Sequence, residues 1–320
     1  MAAALGAALG AALMLPAWNG QAQLGSALGL GLVLTAVPTL PLSLRPCATT
    51  IGARAAGVLV GATAVVLAAG HPVALAVAMV AAAVVGALIS VVGPTAALAV
   101  VLIAVDTGAF HGGAAQWAQV PAYVLGAATV PVAWGVWALA RRRRSRPPHP
   151  TGDAAPAVPR HAHAARVATA VAIAVCAAFW LAQVLPTGVV GVHWLITCVV
   201  LTIQPAATQT GVRLAQRLSG NTVGALIAAG LLGTHLPAAV VMAATVALFT
   251  AAMALRPVNY TWWAVTGPPV LLVISEYPHM FPWYEGGVRL VMNLLGAAVV
   301  VVVVFAAPAM WSRVRSTSPV

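Results

Sequence analysis

Charge is what this sequence has least of. Only 6% of its 320 residues are charged; four are acidic, and all fifteen basic residues are arginine. A soluble domain carries about 25% charged residues, so a chain this poor in charge cannot cover itself with a polar surface. The missing lysine excludes a nucleotide-binding P-loop, whose Lys must reach the phosphates, and with it an ATP-driven engine within this chain. Cysteine is scarce too. Cys47, Cys176 and Cys198 are scattered, share no metal-ligand spacing and imply no disulfide framework. No metal box, nucleophile elbow or acid/base cluster appears, so no enzyme, cofactor or metal site is expected.

What the chain does have is apolar length. Hydrophobic residues make up 62% of it, and the mean hydropathy is +1.00. The runs approach the roughly 20 residues that cross a hydrocarbon core of about 30 Å. Inside lipid every backbone amide needs an internal partner, which leaves helices or a closed barrel. Runs this continuous exclude the ten-residue alternation of a barrel. The expected fold is all-α, a polytopic bundle of about twelve spans. They are read at 2–17, 24–42, 55–70, 72–90, 95–110 and 120–140, then at 167–185, 190–205, 219–234, 237–254, 259–275 and 288–308.

The chain divides as 1–140, a first six-span unit; 141–166, a linker; 167–312, a second six-span unit; and 313–320, a tail. The linker holds Arg141 to Arg144, Arg146 and a Pro-rich run, and is too short for a domain. Its histidines, His149, His161 and His163, read as solvated residues of that linker. Arginine in short loops marks the cytoplasmic side. With the linker inside, Arg45 and Arg54, Arg213 and Arg217, Arg256, Arg313 and Arg315 all fall inside, and Arg289 alone falls outside. Asp106, Glu276 and Glu285 fall at outer ends, and Trp18, Trp117, Trp194 and Trp283 suit an outer aromatic belt. Both termini are therefore expected in the cytoplasm, with the protein in the cell membrane. The first span opens at Met1 without a flanking arginine, whereas its counterpart follows Arg166. The natural start is thus expected some residues earlier, and the uncharged beginning does not suit a cleaved signal peptide. The basic linker suits anionic lipid, at about 1 kcal/mol per residue near the surface. The net charge of +11 does not imply a nucleic-acid partner.

The two units resemble each other. Arg54-Ala-Ala-Gly57-Val-Leu-Val-Gly61 matches Arg217-Leu-Ser-Gly220-Asn-Thr-Val-Gly224 at an offset of 163. Leu125-Gly126-Ala127-Ala128 matches Leu295-Gly296-Ala297-Ala298 at an offset of 170, which also carries Asp106 onto Glu276. Six spans are an even number, so the two units would point the same way about an axis along the membrane normal. Gly57/Gly61 and Gly220/Gly224 are small-x-x-x-small pairs that let helix backbones approach in lipid. Arg54 and Arg217, three residues before the first glycine of each pair, share its helical face and should turn inward.

The run His193-Trp194-Leu-Ile-Thr197, Pro205, then Arg213-Leu-Ala-Gln-Arg217-Leu-Ser-Gly220-Asn-Thr-Val-Gly224-Ala225 resembles the fusaric acid resistance protein family. That family is related to the aromatic acid exporters and, more distantly, to the aluminium-activated malate transporters. Pro257-Val-Asn259-Tyr260 and Arg289…Leu295-Gly296-Ala297-Ala298 are similar too. Asn221 stands where the family usually has Thr, and Val58 takes that place in the first unit. The resemblance implies movement of organic anions, particularly aromatic carboxylates.

Two readings of the charged residues stay open. Arg45, Arg54, Arg213 and Arg217 would either ring a central path and hold a carboxylate, or anchor topology by snorkelling to headgroups. Arg289 would be either an outer gate or the partner of Glu285 one turn earlier. Asp106 and Glu276 would either take up coupling protons or sit in water. The functional expectation is a secondary exporter of organic anions. The alternatives are a passive anion channel and a structural or channel part of a larger membrane complex, with self-association open.

Overall fold

A computed structural model describes residues 1–37, 44–111, 117–141, 159–186, 191–234, 236–276 and 284–310. Among them are twelve α-helices and no strand: α1 Ala2–Trp18, α2 Ala22–Ala36, α3 Leu44–Ala68, α4 Pro72–Leu88, α5 Thr95–Asp106, α6 Val120–Arg141, α7 Arg160–Val184, α8 His193–Thr202, α9 Ala207–Gly233, α10 Ala238–Leu255, α11 Tyr260–Glu276 and α12 Glu285–Val301. The last continues through a π turn, Val302–Ala306, to Met310. Prolines punctuate the starts. α5, α7 and α10 begin directly after Pro94, Pro159 and Pro237, and α4 has Pro72 in its first turn, where a missing N–H costs no intrahelical bond.

Five helices are long and apolar enough to cross a membrane: 45–68, 117–139, 160–184, 238–255 and 285–310. α5 and α8 are not. At 12 and 10 residues they reach only about 18 Å and 15 Å at 1.5 Å per residue, half of a hydrocarbon core. Both are buried nearly all round, as are most of α2 and the second half of α11. Short helices of this kind survive at membrane depth only when protein covers their ends.

The other helices supply that cover, in a regular pattern. α1 packs on α2 and α10, and α7 packs on α8 and α4. α3 packs on α5 and α6, and α9 on α11 and α12; α2 packs on α6, and α8 on α12. Across the centre α2 meets α11, α5 meets α8, and α5 meets α11. Adding six to each helix number turns each of these contacts into another of the set, the α5–α11 contact turning into itself.

Three expected boundaries move. α3 and α9 begin at 44 and 207 rather than 55 and 219, which puts Arg45, Arg54, Arg213 and Arg217 inside helices instead of at their threshold. α7 begins at Arg160, so Arg160 to Arg166 are helix and not linker. The cause is common to all three. An apolar window finds the part of a helix that sits in hydrocarbon, and a helix carrying Arg, Thr and Gln runs on beyond it. Of the expected linker, residues 142–158 lie outside the described residues, as do Trp283 and the tail from 311, which carries Arg313 and Arg315.

Candidate functional site

Two polar stripes cross otherwise apolar helices. On α9 they are Arg213, Arg217 and Asn221; on α12 they are Glu285, Arg289 and Asn293. Four-residue spacing puts each set on one helical face, and α9 and α12 pack together. Asn293 joins the stripes. Its Oδ1 accepts from Arg217 Nη2 at 3.2 Å and from Asn221 Nδ2 at 2.8 Å, while its Nδ2 donates to the Arg289 carbonyl at 2.7 Å. All three partners are buried, and Asn293 has no exposed surface.

Arg217, Asn221 and Arg289 face a cavity at the meeting point of the inner helices. Val33, Leu34 and Val37 of α2 and its end, Leu98 and Leu102 of α5, and Trp194 and Thr197 of α8 close it on one side. Trp263, Gly267 and Pro268 of α11 close it on another, and Arg217, Asn221 and Arg289 supply its polar wall. Its volume is about 30 Å³, room for one or two waters. The Arg289 guanidinium donates to the Pro268 carbonyl at 3.0 Å and lies 3.4 Å above the Trp194 ring. Such a cation–π contact is worth about 2 kcal/mol when desolvated. Pro268 and Pro269 sit within α11 and remove two of its own hydrogen bonds at this depth.

Donors outnumber acceptors here. Nε of Arg217, Nε of Arg289 and Nε1 of Trp194 are buried and meet no acceptor among the described residues. The described lining holds two guanidiniums and no carboxylate. Below Arg217, Tyr260 Oη accepts from Arg217 Nη1 at 3.5 Å, and its ring lies 3.7 Å beneath the Arg213 guanidinium. Arg256 stands 5.4 Å from the Trp263 ring and lies within electrostatic reach of Arg213 and Arg54. Arginines and aromatic rings thus alternate from the start of α11 to the cavity.

Residues 173–303 match the fusaric acid resistance protein-like family. No curated protein and no solved structure matches the chain. The family stretch contains every polar side chain of the cavity wall, together with Arg213, Arg256 and Tyr260. Arg54 and Asp106 fall outside it.

The cavity does not join the pair that the repeat suggested. Arg217 and Arg289 meet there, both from the family stretch, whereas Arg54 is buried on α3 and is not part of the described wall. The first unit has apolar Val58 where α9 has Asn221, and Tyr123 where the 170-residue offset places Asn293, so the stripe is not repeated. Arg45 is exposed. The described contacts of the Arg289 guanidinium are the Pro268 carbonyl and the Trp194 ring. Glu285 is wholly buried and its Oε2 lies against Gly191, ahead of α8. Trp194, read as part of an outer belt, is 1% exposed and forms the cavity wall, while Trp18 and Trp117 are exposed.

The glycines lie at two close helix crossings. A Cβ on Gly220 would stand 2.4 Å from the Ala264 Cβ, one on Gly224 would stand 2.4 Å from the Val265 carbonyl oxygen, and one on Gly61 would stand 2.7 Å from the Ala99 Cβ. Gly57 is looser, with Val92 at 3.3 Å. Asp106 is half-buried, and Ser26 and Tyr123 both hydrogen-bond to its carboxyl. Glu276 ends α11, with its side chain outside the described residues.

Sequence reading missed Asn293, Tyr123 and Ser26. The four-residue spacing of Glu285, Arg289 and Asn293 in an apolar helix was the available signal for the first. Nothing in the sequence pattern marks the other two.

Proposed function

We propose that this chain is a multi-pass transporter of the cell membrane that exports organic anions, aromatic carboxylates in particular, by a secondary mechanism. The observation that carries the reading is the cavity wall, with two buried guanidiniums, three donors left over and no carboxylate among its described residues. An arginine held in a span costs about 2.5–3.5 kcal/mol on insertion scales. A bundle that bears this twice at one point gains it back when an anion arrives. A carboxylate satisfies guanidinium donors in a forked pair, and the flanking indoles of Trp194 and Trp263 suit an aromatic ring.

The cavity size favours a carrier over an open pore. At about 30 Å³ it cannot admit an aromatic acid without helix movement, so substrate would enter only when the inner helices part. The paired helix contacts support two like-oriented six-helix units, and hence rocking of one unit against the other. The arginines at 213 and 256 would gather anions on the cytoplasmic side, with both termini on that side, and Arg289 would meet the departing anion. In this scheme Arg54 adds to the gathering charge and does not bind.

Deleting and overexpressing the gene should change tolerance to aromatic acids in opposite directions. Unchanged tolerance and efflux for every such acid would remove the proposal. Conductance in a planar bilayer without any ion gradient coupling would instead favour a channel. Copurified partners with no flux from the isolated chain would favour a component of a larger complex.

A further inference from the structure

Ser26 carries one hydroxyl hydrogen and touches two acceptors. Its Oγ lies 2.5 Å from Asp106 Oδ1 and 2.6 Å from the Ile274 carbonyl oxygen. A carbonyl can only accept, and an ionised carboxylate can only accept. One hydrogen, even when shared, cannot make both of these short contacts well aligned. The second carboxyl oxygen, Oδ2, already accepts the Tyr123 hydroxyl. The count closes when the carboxyl itself carries a proton. Asp106 Oδ1–H then donates to Ser26, Ser26 donates to Ile274, and Tyr123 donates to Oδ2.

We propose that Asp106 is a proton-binding site whose protonated carboxyl completes a clasp between the first six helices and the last six. Ser26 is on α2, Tyr123 on α6 and Asp106 at the end of α5, while Ile274 lies near the end of α11. Carbonyls in the last turn of a helix have no partner within it, so Ser26 supplies what α11 cannot. When the proton leaves, the Ser26 hydrogen turns to the carboxylate, the Ile274 carbonyl loses its donor, and the α2–α11 joint loosens. α2 and α11 also wall the central cavity through Val33, Leu34, Trp263 and Gly267. Proton occupancy at Asp106 thus governs how firmly that wall is held.

Among the described residues, the groups that touch this carboxyl are the Ser26 and Tyr123 hydroxyls. α2 and α4 carry no ionisable side chain. On α3, Arg45 and Arg54 lie at the far end, since Gly57 just beyond Arg54 packs on Val92, ahead of α5. Cys47 shares that end of α3, and on α8 the groups are His193, packed on Trp194, and Cys198, bonded to the Asn293 carbonyl. α11 contributes Tyr260, at its opposite end, and Glu276; the short turn after α5 contributes His111, and His71 precedes α4. The side chains of Glu276 and His111 lie outside the described residues.

The site stands on the hydroxyl count, and its tie to anion movement rests on the transport reading. The test therefore uses no substrate. Infrared difference spectra of the whole chain in lipid nanodiscs, taken from about pH 3 to about pH 9 to cover the carboxyl range widely, should contain a protonated-carboxyl band that fades as pH rises. That band should be absent in Asp106→Asn and should move in frequency in Ser26→Ala. Spin labels on α2 and α11 should separate with rising pH in the natural chain and stay together in Asp106→Asn, whose amide can still donate to Ser26. A spectrum without a fading carboxyl band overturns the site. A band that survives Asp106→Asn overturns its assignment. Should Asp106→Asn not fold, the frequency shift in Ser26→Ala decides, and an unmoved band counts against the clasp.

Discussion

Replacing Arg217 with Gln separates a binding guanidinium from a structural one, because the two roles predict opposite signs. Arg217 is 3% exposed and holds two weak hydrogen bonds, to Asn293 at 3.2 Å and Tyr260 at 3.5 Å. Both exceed the length of a strong charge-assisted bond, about 2.7–2.9 Å, so they offset only part of a burial cost of about 2.5–3.5 kcal/mol. In the absence of anion, Arg217→Gln should therefore melt at the same temperature as the natural chain or higher. Anion binding should suffer. A hydrogen bond to a charged group is worth about 1.5–3 kcal/mol, and losing about 2 kcal/mol weakens binding roughly thirtyfold. With an aromatic acid at about 100 times the natural Kd, the natural chain gains about 2.7 kcal/mol of stability and the variant about 0.9. Thermal unfolding in detergent, with and without benzoate, reads both signs. A variant that melts lower without anion, yet keeps the full anion-induced shift, would refute the reasoning.

Other consequences follow from the same contacts. Gly220→Val should destabilise the α9–α11 crossing by about 1–3 kcal/mol through overpacking, lowering the melting temperature. Gly57→Ala, with 3.3 Å to its neighbour, should cost far less. Trp194→Leu should remove about 2 kcal/mol of cation–π contact from Arg289 and weaken aromatic-acid binding as Arg289→Gln does. Arg45→Gln, on an exposed site, should leave binding and flux unchanged. Cys176 is exposed midway along α7, a helix apolar enough to cross a membrane, while Cys47 and Cys198 are buried. An apolar maleimide that partitions into detergent should therefore label Cys176 alone in the folded chain; labelling of all three without unfolding would contradict the packing.

The helical class was readable because hydropathy alone excludes any water-facing surface, and helix number followed from where prolines, glycines and arginines break the apolar runs. Depth was not readable. Arg54 and Arg217 looked like threshold residues because hydropathy drops around them, although each lies well inside a long helix. Trp194 looked like an interfacial residue because it opens a span, yet the first turn of α8 is covered by other helices and the Trp194 side chain is 1% exposed. The pairing of Arg217 with Arg289 depends on the α9–α12 crossing, which no local spacing encodes. The internal repeat pointed to Arg54 instead. The first unit keeps the arginine but has Val58 and Tyr123 in place of the two asparagines that frame the site.

Flux through proteoliposomes holding only this chain bears most directly on the anion site. Labelled benzoate should move across the membrane with the natural chain and with Arg45→Gln, and should fall to the empty-liposome level with Arg217→Gln and with Arg289→Gln. Undiminished movement in both cavity variants would contradict the account.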